Sequence, residues 1–197
     1  MPPKFDYNRF VVGYHGCDAD LARKILLGDV PMKPSANKYD WLGQGIYFWE
    51  HGPARAMQFA TAEARRNPGK ITVPAVLGAY LYLGNCFDLL DLEATSILSD
   101  LYSDFVESLQ YQGVQIPQNE RTRSDGTQLF HALDRAVIEF AVKTLEADEA
   151  RVVDTVRGAF WEGARAFPGS EIARQSHIQI AVRNPKCVLG YFKPKIN

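Results

Sequence analysis

Polar and apolar residues alternate from Arg9 to Tyr14, with Phe10, Val12 and Tyr14 on one side, which predicts a strand that delivers His15 and Gly16 at its end. The period then lengthens. Leu21, Ala22, Ile25 and Leu26 recur at helical spacing between Asp18, suited to cap, and Gly28, suited to stop, so a short helix is predicted over Ala19 to Leu27. Pro31 to Tyr39 is a loop by its prolines, Ser35 and Asn37, and Ile46 to Trp49 is an apolar, aromatic run that predicts a buried strand. Gly52-Pro53 opens a second helix with Ala56, Met57, Ala60 and Ala64 as its packing face and Arg55, Arg65 and Arg66 expected in solvent. Asn67-Pro68-Gly69 stops it. Thr72 to Leu83 is predicted as a long strand interrupted near Pro74 and Gly78, and Cys86 to Leu89 as a short one.

Two longer amphipathic helices follow. One starts at Asp91, with Ala94, Ile97, Leu98, Leu101, Tyr102, Phe105 and Leu109 at three-and-four spacing. The other runs from about Thr127 to Leu145, is entered through Asp125-Gly126, and turns Phe130, Leu133, Ala136, Val137, Phe140 and Ala141 to one side. Between them, Gln118 to Asp125 is polar and reads either as a solvated connector or as a loop that touches whatever the protein acts on. The last quarter predicts strands at Arg151 to Val156, Ala159 to Trp161, Ser176 to Val182 and Val188 to Phe192, separated by Phe167-Pro168-Gly169-Ser170 and Arg183-Asn184-Pro185. The order of elements predicts an α+β domain built on two small mixed or antiparallel sheets.

Composition narrows this picture. With 197 residues, 46% hydrophobic and 12% aromatic, the chain fills one core and is too short for two comfortable domains, so a single domain over 1–197 is expected. Acidic and basic residues nearly cancel, 23 against 22, which excludes a global basic field for nucleic acid or a membrane surface. Cys17, Cys86 and Cys187 are odd in number and lack a Cys-x-x-Cys, which predicts reduced thiols in a cytosolic protein. His15 and Cys17 lie close together, but no second pair at ligand spacing completes a set, so no metal is expected. Met1 to Asp6 lacks the apolar core of a secretory signal, and no run approaches the ~20 apolar residues that cross a bilayer. A soluble, cytoplasmic protein without a membrane partner is the expectation.

The densest chemistry lies in Trp41-Leu42-Gly43-Gln44-Gly45-Ile46-Tyr47-Phe48-Trp49-Glu50. Gly43 and Gly45 allow backbone angles closed to other residues and let a ligand approach the main chain. Strand alternation sets Tyr47 and Trp49 on one face and Ile46 and Phe48 on the other, so one face carries two rings with polar tips, suited to gripping a flat ring. An aromatic core strand after a glycine turn has the same pattern, and the decamer alone does not choose between them.

Two other stretches complete a signature. Val11-Val12-Gly13-Tyr14-His15-Gly16, then Gly43-Gln44-Gly45-Ile46-Tyr47-Phe48, then Ser176-His177-Ile178-Gln179-Ile180-Ala181-Val182 resemble, in order and spacing, the three motifs of the ADP-ribosyltransferases of the diphtheria-toxin and poly(ADP-ribose) polymerase type. That family carries a His-Tyr-Glu triad, and the matching positions are His15, Tyr47 and Gln179. The resemblance implies an ADP-ribosyltransferase fold, a split β-sandwich with NAD held between its sheets, and a helical insertion over about 91–147 where family members vary. It implies that His15 bonds a ribose hydroxyl, that the backbone of Gly16 pairs with the nicotinamide carboxamide, and that Tyr47 stacks on the nicotinamide ring. Gly45 lies in the same clasp, and Phe59 is one residue from a second stacking tyrosine of the family, with core packing as its other reading.

Gln179 departs from the family glutamate. An amide accepts a hydrogen bond from the 2'-hydroxyl but cannot act as a general base. Glu162, in Phe160-Trp161-Glu162-Gly163, and Glu171 are the nearest acidic alternatives in sequence. Family members with a replaced glutamate tend to transfer a single ADP-ribose, so the resemblance implies an NAD-dependent mono-ADP-ribosyltransferase acting on a protein or nucleic-acid acceptor. In that reading it is bacterial, the toxin of a defence or toxin-antitoxin pair, with an antitoxin or immunity protein as partner. The alternatives are a catalytically weak NAD or ADP-ribose binding module, an NAD glycohydrolase, and an RNA 2'-phosphotransferase, which shares the fold but needs basic residues not assembled here.

Overall fold

The computed structural model describes residues 6–35, 37–121, 128–147 and 152–196. The chain begins with β1 (Asp6–Asp18), α1 (Ala19–Leu26), β2 (Ile46–Glu50), α2 (Pro53–Arg66) and β3 (Pro74–Asp88). Then come α3 (Leu92–Tyr111), a small hairpin of β4 (Asn119–Arg121) and β5 (Gln128–His131), and α4 (Ala132–Glu146). It ends with β6 (Thr155–Phe160), β7 (His177–Val182) and β8 (Val188–Phe192). This is an α+β protein: among the described residues, four helices surround a six-stranded mixed sheet and the hairpin.

The sheet is two triplets joined at their ends. β3 pairs with β1 along Asp6 to Asp18 on one side, and on its other side with β8 near Gly78 to Leu81 and, in parallel, with β6 at Cys86 to Asp88. β7 lies between β2 and β6, antiparallel to both, and β2 reaches β1 only at Glu50 opposite Gly13 and Trp49 opposite Tyr14. The strands β1, β2, β7, β6 and β3 therefore close a ring, with β8 outside it. Phe48, Ile46, Leu81, Leu83, Ile180 and Val182 form the core these strands share. The other face of β2, β7 and β6 is covered by the helices. Leu42, Ala181, Val156 and Phe87 pack there against Ala94 of α3 and Ile138, Ala141 and Val142 of α4.

Several boundaries differ from the sequence reading for physical reasons. The strand expected to break near Pro74 and Gly78 and to restart at Cys86 is one strand, β3. Pro74 is its first residue, where no ladder donor is needed, and Gly78 is no break but a seat for the Phe192 ring, which lies 2.4 Å from where a Cβ would be. The strands expected at Arg151 to Val156 and Ala159 to Trp161 are one as well, and Arg151 lies outside the described residues. Arg157 and Gly158 looked like an interruption because an arginine seldom sits in a buried strand. Here its guanidinium is buried between Glu50, at 2.6 and 3.0 Å, and Asp88, at 2.8 Å. The helix expected from Thr127 starts at Ala132 and is preceded by β5, while Thr127 and residues 122–126 of the polar loop lie outside the described residues. Asn119 of β4 moves the start, since its Oδ1 accepts the N–H groups of Leu133 and Asp134 at 3.0 and 3.3 Å and caps the helix from another strand.

Candidate active site

β1, β2 and β7, which carry the three signature stretches, are consecutive neighbours in the sheet. Trp49 of β2 stands opposite Tyr14 of β1 on one side and Gln179 of β7 on the other, and Gln179 faces Gly158 of β6 beyond. His15 follows directly after Tyr14. Its Nδ1 lies 2.8 Å from the carbonyl of Tyr47, and because a carbonyl only accepts, Nδ1 carries the proton and Nε2 is left as an acceptor. Burial lowers the His15 pKa; the bond to Tyr47 opposes this and the charge of Lys70 adds to it, so the ring is neutral at neutral pH. The His15 ring is 6.0 Å from that of Phe48, so it meets Tyr47 through the main chain.

The Tyr47 hydroxyl closes its own loop. It donates to the Gly43 carbonyl at 2.8 Å and accepts from the N–H of Leu42 at 2.9 Å, and burial, with Asp40 nearby, raises its pKa so that it stays protonated. Gly43 has the positive φ, +86°, that favours glycine. Gly45 exchanges main-chain bonds with Ser35 at 2.8 and 3.1 Å and lies against the main chain of Ala181. Gly16 is packed on its open side by α2: a Cβ there would meet the Ala56 carbonyl oxygen at 2.2 Å. A valine at that position would therefore disturb packing whatever binds nearby.

Gln179 is held by a residue the sequence reading left without a role. Its Oε1 accepts the indole N–H of Trp41 at 2.6 Å. Trp41 lies flat enough over β6 that a Cβ on Gly158 would meet its ring at 2.7 Å, so glycine at 158 is what lets the indole down onto the strand. Trp41, Phe160 and His131 form one ring cluster, with centroids 5.3 Å apart for Trp41 and Phe160 and 4.8 Å for His131 and Phe160. A cavity of about 390 Å³ opens beside Trp41 between α3 and α4, lined also by Leu98, Tyr102, Leu133, Asp134 and Val137.

A second cluster surrounds Trp49. Phe59 packs on it at 5.0 Å and His177 lies 6.2 Å away. Arg55 places its guanidinium 5.6 Å from the Trp49 ring centre and pairs with Glu162. Arg55 is thus half-buried in the site rather than solvated. Its position four residues before Phe59, on the same helical face, was the available signal. His177 donates from Nδ1 to the Gln175 carbonyl at 2.6 Å, so its Nε2 is a bare acceptor; burial lowers its pKa, with Gln175 and Glu162 opposing and Arg55 adding. Trp49 Nε1, Arg55 Nε and His177 Nε2 are buried without a hydrogen-bond partner among the described residues.

Glu162, the acidic alternative to Gln179, is 4.0 Å from His177 and engaged by Arg55. Glu171 is exposed and paired with Arg165. Among the described residues no group of three or more His, Cys, Asp or Glu is placed to hold a metal ion, and no helix is long and apolar enough to cross a membrane. No family model, curated protein or solved structure matches the chain.

Proposed function

We propose that this protein is an NAD-dependent mono-ADP-ribosyltransferase on a split β-sandwich, with α3 and α4 as its helical insertion. The observation that carries the reading is the adjacency of β1, β2 and β7. Residues 15, 47 and 179 are far apart in the chain, and the His15 bond to Tyr47 and the pairing of Trp49 with Gln179 bring their stretches together on neighbouring strands. The ring closed by β1, β2, β7, β6 and β3 supports it.

In this reading the bond between ribose C1' and the nicotinamide nitrogen breaks with its electron pair going to nicotinamide, and positive charge develops on the sugar. His15 Nε2 accepts from a ribose hydroxyl. The second lone pair of Gln179 Oε1, not used by Trp41, accepts from the 2'-hydroxyl as the charge builds. Tyr47 keeps the Gly43 loop folded beside the nicotinamide, and Trp49 and Phe59 supply its flat wall. By resemblance alone the acceptor is a macromolecule inside a bacterial cell, and the role that of a toxin or defence effector with a cognate antitoxin.

The test is incubation with NAD labelled in the adenosine half, reading free nicotinamide and the fate of the label. Nicotinamide release that His15→Ala abolishes, with an unchanged melting curve, is the expected result. Binding of NAD without release would replace the transferase by an NAD-binding module, a reading favoured by the uncharged Gln179 held by Trp41. Label passing wholly into free ADP-ribose would make it a glycohydrolase.

A further inference from the structure

Transfer from NAD to an acceptor X–H forms the X–C1' bond, breaks the C1'–nitrogen bond and frees one proton. The residues described so far do not take it. Gln179 is an amide, Glu162 is engaged by Arg55, and His177 Nε2 is shut away from solvent.

His131 is arranged as a base. It closes β5, and Asp134 follows one turn later in α4. Its Nδ1 donates to Asp134 Oδ2 at 2.7 Å, which fixes the tautomer and leaves Nε2 as an acceptor without a partner among the described residues. Asp134 Oδ1 is held by Asn119 Nδ2 at 2.8 Å, and Asn119 is itself anchored on the first turn of α4, so the orienting contacts run back into fixed backbone. Burial alone would raise the Asp134 pKa, but the bonds from His131 and Asn119 outweigh it and keep it an anion. The His131 side chain is 16% exposed, so it is reachable. It also lies on the Gln179 side of the sheet: its ring is 5.9 Å from Trp41, whose indole holds Gln179 at 2.6 Å. Trp41 and Asp134, two residues that contact the ring here, also line the cavity between α3 and α4.

We propose that His131, oriented by Asp134 and Asn119, is the base that takes the proton of the attacking acceptor in place of the absent glutamate. This rests on the transferase reading above. His131 makes and loses the bond to that proton, while Asp134 and Asn119 act through it as positioning residues.

The probe is NAD with water as acceptor, with and without sodium azide, reading nicotinamide and the ADP-ribosyl product. Among the described residues, the groups packed on His131 are Asp134 from α4, the Trp41 ring from the loop before β2 and the Phe160 ring from β6, with Asn119 opposite it on β4. His131→Ala is expected to lose on the order of 10²-fold in kcat with NAD affinity unchanged. Azide attacks as an anion with no proton to shed, so it is expected to restore turnover and give ADP-ribosyl azide. His131→Gln, which still bonds Asp134 but is no base, is expected to behave the same way and guards against loss of folding. Asp134→Asn is expected to lose less in kcat than His131→Ala, with KM for NAD unchanged, and to be rescued by azide in the same way. Wild-type turnover in either His131 variant, or a loss that azide does not rescue in a folded variant, overturns the base and leaves the transferase standing. A wild type that releases no nicotinamide overturns both.

Discussion

In the proposed transferase, Gln179 takes the place where a negative charge would do most for a cationic sugar, and it brings only an amide oxygen already shared with Trp41. If that oxygen fixes the 2'-hydroxyl, Gln179→Ala is expected to cut nicotinamide release on the order of 10²-fold, the loss of one transition-state hydrogen bond, with little change in NAD affinity. Gln179→Glu is expected to keep or raise release, and Glu162→Gln to leave it near wild type, because Glu162 is engaged by Arg55. Side-by-side nicotinamide assays decide: a dead Glu162→Gln with active Gln179 variants would transfer the third position to Glu162. The strands around His15, Tyr47 and Gln179 were legible as elements, because a strand end, a glycine-aromatic run and a late strand each leave a local pattern. Trp41, Arg55, His131 and His177 were not, since each gets its role from a partner on another element. His131, the N-cap residue of α4, and Asp134 in its first turn do stand three apart, a spacing visible once the helix start is known.

Asp18 shows how one residue joins three elements. It caps α1 through the N–H of Asp20 at 2.8 Å and also accepts from Thr72 N, Thr72 Oγ1 and Val73 N at 2.8, 2.8 and 3.1 Å, which ties the entrance of β3 to the end of β1. Those bonds, the one from Val73 foremost, hold its carboxyl far below the usual range. A depressed folded pKa stabilises the fold above the unfolded value of about 3.9 and is lost as pH falls through the folded one. Melting temperature measured between pH 7 and pH 2 is therefore expected to fall less steeply in Asp18→Asn than in wild type. An equal slope would mean that the Asp18 bonds survive protonation. The cap and helix α1 were legible from spacing alone, as was β8, whose observed range Val188–Phe192 is the expected one. β3 and β6 were not read as single strands because their interruptions are filled by Phe192 and Trp41, side chains from distant parts of the chain.

The ring of strands is fastened by Arg157, which joins β6 to Glu50 of β2 and Asp88 of β3. Removing one partner of a buried ion pair leaves uncompensated charge, so Arg157→Ala is expected to cost about 3–5 kcal/mol, enough to unfold much of a marginally stable domain. Urea titration followed by circular dichroism measures it, and a loss under about 1 kcal/mol would show that the carboxylates are rehydrated without cost. The three cysteines are buried as free thiols, with burial pushing Cys17 and Cys187 up to about 11 and Cys86 up to about 12.

By itself the sequence determined the periodic elements, the α+β class, the unpaired thiols and the three stretches around residues 15, 47 and 179, because these depend on neighbours three, four or two positions away. Only the tertiary structure decided that β1, β2 and β7 lie side by side, that Trp41 descends onto Gly158 to hold Gln179, and that Arg55 turns inward to Glu162. These are contacts across the fold, separated by as many as 138 positions for Trp41 and Gln179. No local spacing encodes them, since each exists only where the packing of whole strands and helices brings two distant side chains to hydrogen-bonding distance.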